Sequence, residues 1–155
     1  MMLELAIGDA YGAGFEYAKK PFIREHNNLQ NYYQHPKHKT LKPGSYTDDT
    51  QMSIAIAESL LEEEEWTPPI IANKFIEVFK RDEREGYAHN FYNFLKITKT
   101  GKEFLENIRP YSEKNGAAMR SVPLGYLEPL LAPGNEYYNP AVIMGDPKFI
   151  SDYCN

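Results

Sequence analysis

The chain has 155 residues, 17 of them Lys or Arg and 22 Asp or Glu, so it carries a net charge of −5, and 42% of its residues are hydrophobic. That is one domain's length with enough apolar side chains for a core, which excludes a disordered segment. The acidic balance, with no long basic run, argues against a nucleic-acid partner, and no apolar stretch approaches the roughly 18 residues that span a bilayer. Cys154 is the sole cysteine, which rules out an intramolecular disulfide and suits a reducing cytoplasm. Met1–Ile7 carries Glu4 and lacks the basic and apolar regions of a signal peptide, so a cytoplasmic protein with a single domain over 1–155 is expected.

In chain order, the first notable stretch is Gly8-Asp9-Ala10-Tyr11-Gly12-Ala13-Gly14-Phe15-Glu16. Its small residues allow close backbone approach, either helix to helix or backbone to ligand, and it matches neither the dinucleotide fingerprint nor the P-loop. Residues 21–45 then lose all periodicity and read as a long polar loop with His26, Asn27, Asn28, Asn31, His35, Pro36 and His38. Loops of this length in compact domains are commonly lids or binding loops. Tyr32 and Tyr33 could stack on a base or simply pack the loop down. His35 and His38, three apart, have the spacing of a metal pair but lack a nearby third ligand.

Tyr46-Thr47-Asp48-Asp49-Thr50-Gln51 precedes a helical stripe at Met52, Ile56 and Leu60, widened by Ile54 and Leu61. Two adjacent carboxylates flanked by hydroxyls form the all-oxygen set that hard cations prefer. The competing reading is a helix start, with Thr47 or Asp48 capping orphan N–H groups and both acids at the positive end of the dipole. Glu62 to Glu65 end that segment as a solvated face.

Thr67-Pro68-Pro69 reads as an N-cap and first turn, followed by a stripe at Ile71, Phe75, Val78 and Phe79. Arg81 to Glu85 reads as an exposed helix end. Phe91, Phe94 and Leu95 suggest a further helix, Phe104, Leu105 and Ile108 another, and Leu124, Leu127 and Leu131 a last one opened by Pro123. Strand alternation is absent, so the fold is expected to be all-α. Between the last two helices, Asn115-Gly116 is a turn signal followed by small residues. Such a helix start could accept an anion with Arg120 as a planar donor fork, or could be a tight turn with Arg120 in a salt bridge.

The three segments together, in this order, resemble the ADP-ribosylglycohydrolase family. That family shows a Gly-Asp-Ala-x-Gly-x-x-x-Glu start, found here at Gly8–Glu16. Its Thr-Asp-Asp-Thr segment stands at Thr47–Thr50, and its Asn-Gly-x-x-Met-Arg-x-x-Pro-x-Gly segment at Asn115–Gly125. Gly86-Tyr87 resembles the family's glycine-tyrosine element.

The resemblance implies a compact orthogonal helical bundle, shortened at the carboxy end, and hydrolysis of the bond joining ADP-ribose to a protein side chain or small acceptor. It implies two Mg²⁺ or Mn²⁺ ions, with Thr47, Asp48 and Asp49 as metal ligands. Glu16 and Asp49 would be catalytic, with Glu16 acting on water or the leaving group. Asn115, Gly116, Ala117, Met119, Arg120 and Tyr87 would contact the substrate. The family's downstream Asp-x-Asp-Thr segment has no counterpart here, so the second metal site is expected to be incomplete. The missing ligands would come from another subunit or from an unusual residue such as Asp146, or the chain would work as a single-metal variant. Alternatively, the chain is a catalytically impaired ADP-ribose- or nucleotide-binding module, or a truncated remnant. Self-association covering exposed apolar faces is expected with it.

Overall fold

The computed structural model describes residues 2–62, 66–109 and 116–127. They form α1 (Met2–Gly12), α2 (Lys20–His26), α3 (Asp48–Glu62), α4 (Pro68–Arg81), α5 (His89–Ile97), α6 (Gly101–Asn107), α7 (Gly116–Met119) and a 3₁₀ helix over Val122–Leu127. No strand occurs among these residues, and the all-α expectation holds. No helix among them is long and apolar enough to cross a membrane.

α3 is the hub. It packs on α4 over its length and also receives α1, α7 and the 3₁₀ helix, while α4 carries α5 and α6 on other faces. The stripes read from the sequence meet, except that Leu61, counted in the α3 stripe, is 85% exposed because it lies at the solvated end of that helix. Met52, Ala55 and Ile56 of α3 face Ala72, Phe75, Ile76, Val78 and Phe79 of α4, and Leu95 and Phe104 close the cluster. Phe79, only 1% exposed, meets Tyr87 and Tyr92 edge-on, both with centroids 5.4 Å away. Truncating such a ring to Ala typically costs about 3–5 kcal/mol.

The helix ends follow several solutions. Thr67 takes the N-cap position of α4 but accepts no bond there, because Pro68 and Pro69 already remove orphan donors from the first turn. At α6, Thr100 accepts from the Glu103 N–H at 3.1 Å, and Glu103 reaches back to the Lys99 N–H at 2.9 Å.

Two expectations need correction. The polar stretch expected to be loop from residue 21 opens with α2, so the irregular segment starts at Asn27. Phe22 and His26, one turn apart, meet edge-on at 4.4 Å, and Phe22 packs on Phe15 and Tyr33, so tertiary aromatic contact sustains a helix too short to show periodicity. The helix expected from Pro123 is instead the tighter 3₁₀ form through Leu127. Leu131 lies outside the described residues, as do Asn115, Glu63 to Glu65 and Asp146. On α1, Leu3 and Ile7 are 70% and 48% exposed.

Candidate active site

The start of α3 is built around a carboxylate from another helix. Asp9, on α1, accepts from the Thr47 N–H at 2.8 Å and the Thr47 hydroxyl at 2.7 Å. It also accepts from the Thr50 N–H at 3.2 Å and the Thr50 hydroxyl at 2.6 Å. A carboxylate at a helix N-terminus satisfies orphan donors and sits at the positive end of the dipole. The capping expected of Thr47 or Asp48 is therefore performed from α1, across 38 residues of sequence. Thr47 spends its hydroxyl proton on Asp9, and Asp48 and Asp49 are released from that duty.

The consequence is electrostatic. Burial pushes the Asp48 carboxyl up to about 7, helped by the charges of Asp49, Asp9 and Glu16, with a hydrogen bond from its own backbone N–H opposing. Burial likewise raises Asp49 to about 6, with Asp9 and Glu16 adding to it. Among the described residues no basic side chain forms an ion pair with Asp9, Asp48 or Asp49. Among the described residues, Asp9, Asp48 and Asp49 thus share one corner with Glu16, and only Glu16 has a basic partner, His35.

The cover over Asp48 comes from the turn after α4. Gly86 adopts φ +120°, and a Cβ there would lie 2.1 Å from Asp48 Oδ1 and 2.8 Å from Thr47 Cβ. Only glycine fits that approach. Its neighbour Tyr87 fixes the turn: the phenol donates to Gln51 Oε1 at 2.7 Å, and Gln51 Nε2 donates to the Val78 and Asp82 carbonyls at 3.3 and 2.5 Å. Tyr87 was expected at the substrate; it is buried beneath the site, its hydroxyl committed to Gln51 and its acidity suppressed first by burial.

Glu16 follows α1 on a turn continued by Tyr17 at φ 58°. Its carboxylate, about half exposed, meets the buried His35 at 3.1 Å. Gly14, just before it, lets the loop backbone approach: a Cβ there would lie 2.8 Å from the Tyr33 carbonyl oxygen. Tyr33 packs on Phe15 and Phe22, so this aromatic pins the loop down, and His89, exposed and paired with Asn93, stays on the surface.

Of the residues expected to contact substrate, Gly116, Ala117 and Met119 are half-buried on α7, which Ser53 ties to α3 through the Met119 carbonyl at 3.0 Å. Arg120 turns inward. Its Nη1 donates to the Gly116 carbonyl at 2.9 Å and its guanidinium lies 5.5 Å from the Phe75 ring centre. Asn115 lies outside the described residues.

The structure therefore brings Glu16, Thr47, Asp48 and Asp49 to one corner, together with Asp9 and His35. Asp9 had two available signals, as the single charge in a small-residue stretch and as the Asp of the Gly-Asp-Ala-x-Gly start. His35 had its place in an uncommonly long loop and its spacing from His38, but neither pointed to Glu16.

The sequence model of one family, ADP-ribosylglycohydrolase, matches residues 1–139. The chain belongs to the ADP-ribosylglycohydrolase family. Over 151 residues it is 29% identical to ADP-ribosylhydrolase ARH3 of Xenopus tropicalis, covering 88% of this chain and 41% of the relative. It is 34% identical over 91 residues to ADP-ribosylhydrolase ARH3 of Gallus gallus, covering 53% of this chain and 25% of that protein. A 58-residue stretch is 41% identical to ADP-ribosyl-(dinitrogen reductase) glycohydrolase of Rhodospirillum rubrum, covering 37% of this chain and 20% of that one. The chain thus spans at most about two-fifths of the length of these ADP-ribosylglycohydrolase relatives.

Proposed function

We propose that this chain carries the acidic part of a site that hydrolyses the glycosidic bond between ADP-ribose and a protein side chain or small acceptor. The observation that carries the reading is the release of Asp48 and Asp49 from helix capping by Asp9, which leaves two crowded carboxylates beside the Thr47 hydroxyl. These oxygens suit Mg²⁺ or Mn²⁺, and a cation would relieve the repulsion that raises both acids. The set is partial. Among the described residues no three His, Cys, Asp or Glu side chains are grouped to hold a metal, so further ligands would come from elsewhere.

A bound cation would supply charge to polarise the ribose hydroxyls and acidify water. The chain's own acids act alongside it. Glycosidic cleavage builds positive charge on the sugar, which the nearby carboxylates Asp49 and Glu16 stabilise. Glu16, half exposed at the rim, transfers a proton to the leaving group or takes one from water. Gly116 and Ala117 lie against the ADP-ribose, while Tyr87 and Arg120 support the site from beneath. Leu3 and Ile7 would carry any self-association.

A second reading is favoured by the partial ligand set: a module that binds ADP-ribose or a related nucleotide without turning it over. The test is Mg²⁺-dependent hydrolysis of ADP-ribosylated arginine and serine peptides by the wild type, Asp48→Ala and Asp49→Ala. Turnover that needs metal and vanishes in both variants supports the hydrolase. Saturable ADP-ribose binding without turnover, in folded protein, supports the module.

A further inference from the structure

The irregular segment after α2 holds one residue unlike its neighbours. His35 is 1% exposed in a stretch that is otherwise largely solvated. Both its nitrogens are engaged. Nδ1 accepts from the Lys37 N–H at 3.0 Å and the His38 N–H at 2.9 Å, while Nε2 lies 3.1 Å from Glu16 Oε2. Two N–H groups aimed at Nδ1 leave no room for a proton there. The ring proton is therefore on Nε2, where it donates to Glu16.

The segment that sets this tautomer is itself braced. Gln34 Nε2 donates to the His38 and Leu41 carbonyls at 3.0 and 2.8 Å, closing the turn around His35, and Leu41 is buried. On the far side His38 Nδ1 stands 3.5 Å from Glu85 Oε2, and the Thr40 hydroxyl donates to Glu85 Oε1. Glu85 adjoins Gly86, the residue pressed on Asp48. Residues 35–40 thus span from Glu16 to the turn that covers Asp48.

We propose that His35 is a positioning residue of Glu16: its loop-fixed Nε2–H selects one orientation of the carboxylate, which the exposed Tyr17 side chain also meets. A half-exposed glutamate has appreciable rotamer freedom to lose, and a buried ring supplies a fixed donor against which it settles. The proposal rests on the functional reading of Glu16 given above. The same ring also fastens the loop through Nδ1, so the two duties must be separated experimentally.

Amide side chains separate them. His35→Gln places an N–H near the position of Nε2 and gives up the Nδ1 acceptor. His35→Asn places a carbonyl oxygen near Nδ1 and gives up the donor to Glu16. The expected result is that the Asn variant folds but loses roughly ten- to a hundredfold in kcat with KM little changed, the range for removing an orienting partner. The Gln variant should recover most of that loss. The reverse pattern, activity kept in Asn and lost in Gln, would overturn the proposal and leave His35 as a loop fastener.

A second readout needs no turnover. Long-range ¹⁵N NMR of the metal-free protein should show His35 as the Nε2–H tautomer, with a slowly exchanging ring proton that is lost in Glu16→Ala while the tautomer persists. An Nδ1–H ring, or a ring proton indifferent to Glu16→Ala, refutes the contact. If the wild type turns over no ADP-ribosylated peptide, the hydrolase reading fails, and the NMR result alone decides the bond to Glu16.

Discussion

Asp48→Asn should stabilise the metal-free protein, and by an amount that depends on pH. The carboxyl, about 7 in the fold against an ordinary value of 3.8, is raised by burial and by Asp49, Asp9 and Glu16. A raised carboxyl favours the folded state below pH 3.8, where both states hold the proton. That contribution disappears as pH climbs to about 7, because the fold must then carry a buried charge. A displacement of this size corresponds to a ceiling of about 4 kcal/mol at pH 8. Asn keeps the shape without the charge, so in chelator at pH 8 a gain of about 2–4 kcal/mol is expected, and at pH 4 a difference under about 1 kcal/mol. For a chain of this length that is a rise in Tm of roughly 5–10 °C at pH 8. The assay is thermal and urea unfolding of both proteins in EDTA at the two pH values, then at pH 8 with excess Mg²⁺. Excess Mg²⁺ should raise the wild type and leave the variant behind. A variant no more stable than the wild type at pH 8, or equally stabilised at pH 4, would refute the charge argument.

Asp9→Ala acts in the opposite direction. It strands the Thr47 and Thr50 N–H groups at a helix start, and although it eases the repulsion on Asp49, urea unfolding at pH 7 should show a net loss of about 2 kcal/mol. Gly86→Ala puts a methyl onto Asp48 Oδ1 at φ +120°, so a loss of at least about 2 kcal/mol is expected, with weakened Mg²⁺ binding by calorimetry. Unchanged stability would mean the turn is free to lift away. Tyr87→Phe leaves Gln51 Oε1 without its donor in the core; about 1–2 kcal/mol should be lost in urea, and no loss would show that the bond contributes nothing.

The parts legible in the sequence are those where one periodicity serves one neighbour. Met52 and Ile56 of α3, and Phe75, Val78 and Phe79 of α4, are the core, because those two helices pack on each other over their length. Thr47 to Asp49 stood out because adjacent acids are chemically unusual. What escaped depends on partners distant in sequence. α2 holds its shape through Phe15 and Tyr33. The cap of α3 comes from Asp9, and no local pattern distinguishes an acid that caps another helix from one that faces water. The sequence leaves Arg120 open between an anion fork and a salt bridge, and Tyr87 enters only through the resemblance to the family's glycine-tyrosine element. Gln51 and the Gly116 carbonyl, close to them only after folding, turn both tips inward.

The clasp of Asp9 on α3 also has a kinetic side. α1 is eleven residues long, with Leu3 and Ile7 turned to solvent, so few contacts hold it against fraying. When it peels off, it takes the acceptor of the Thr47 and Thr50 amides with it. Hydrogen exchange at those two amides should then follow the opening of α1 and run faster than exchange deeper in α3, at Ala55 and Ile56. Whatever steadies α1 against α3, whether a neighbouring surface or a ligand in the acidic corner, sets how long the corner stays assembled between openings.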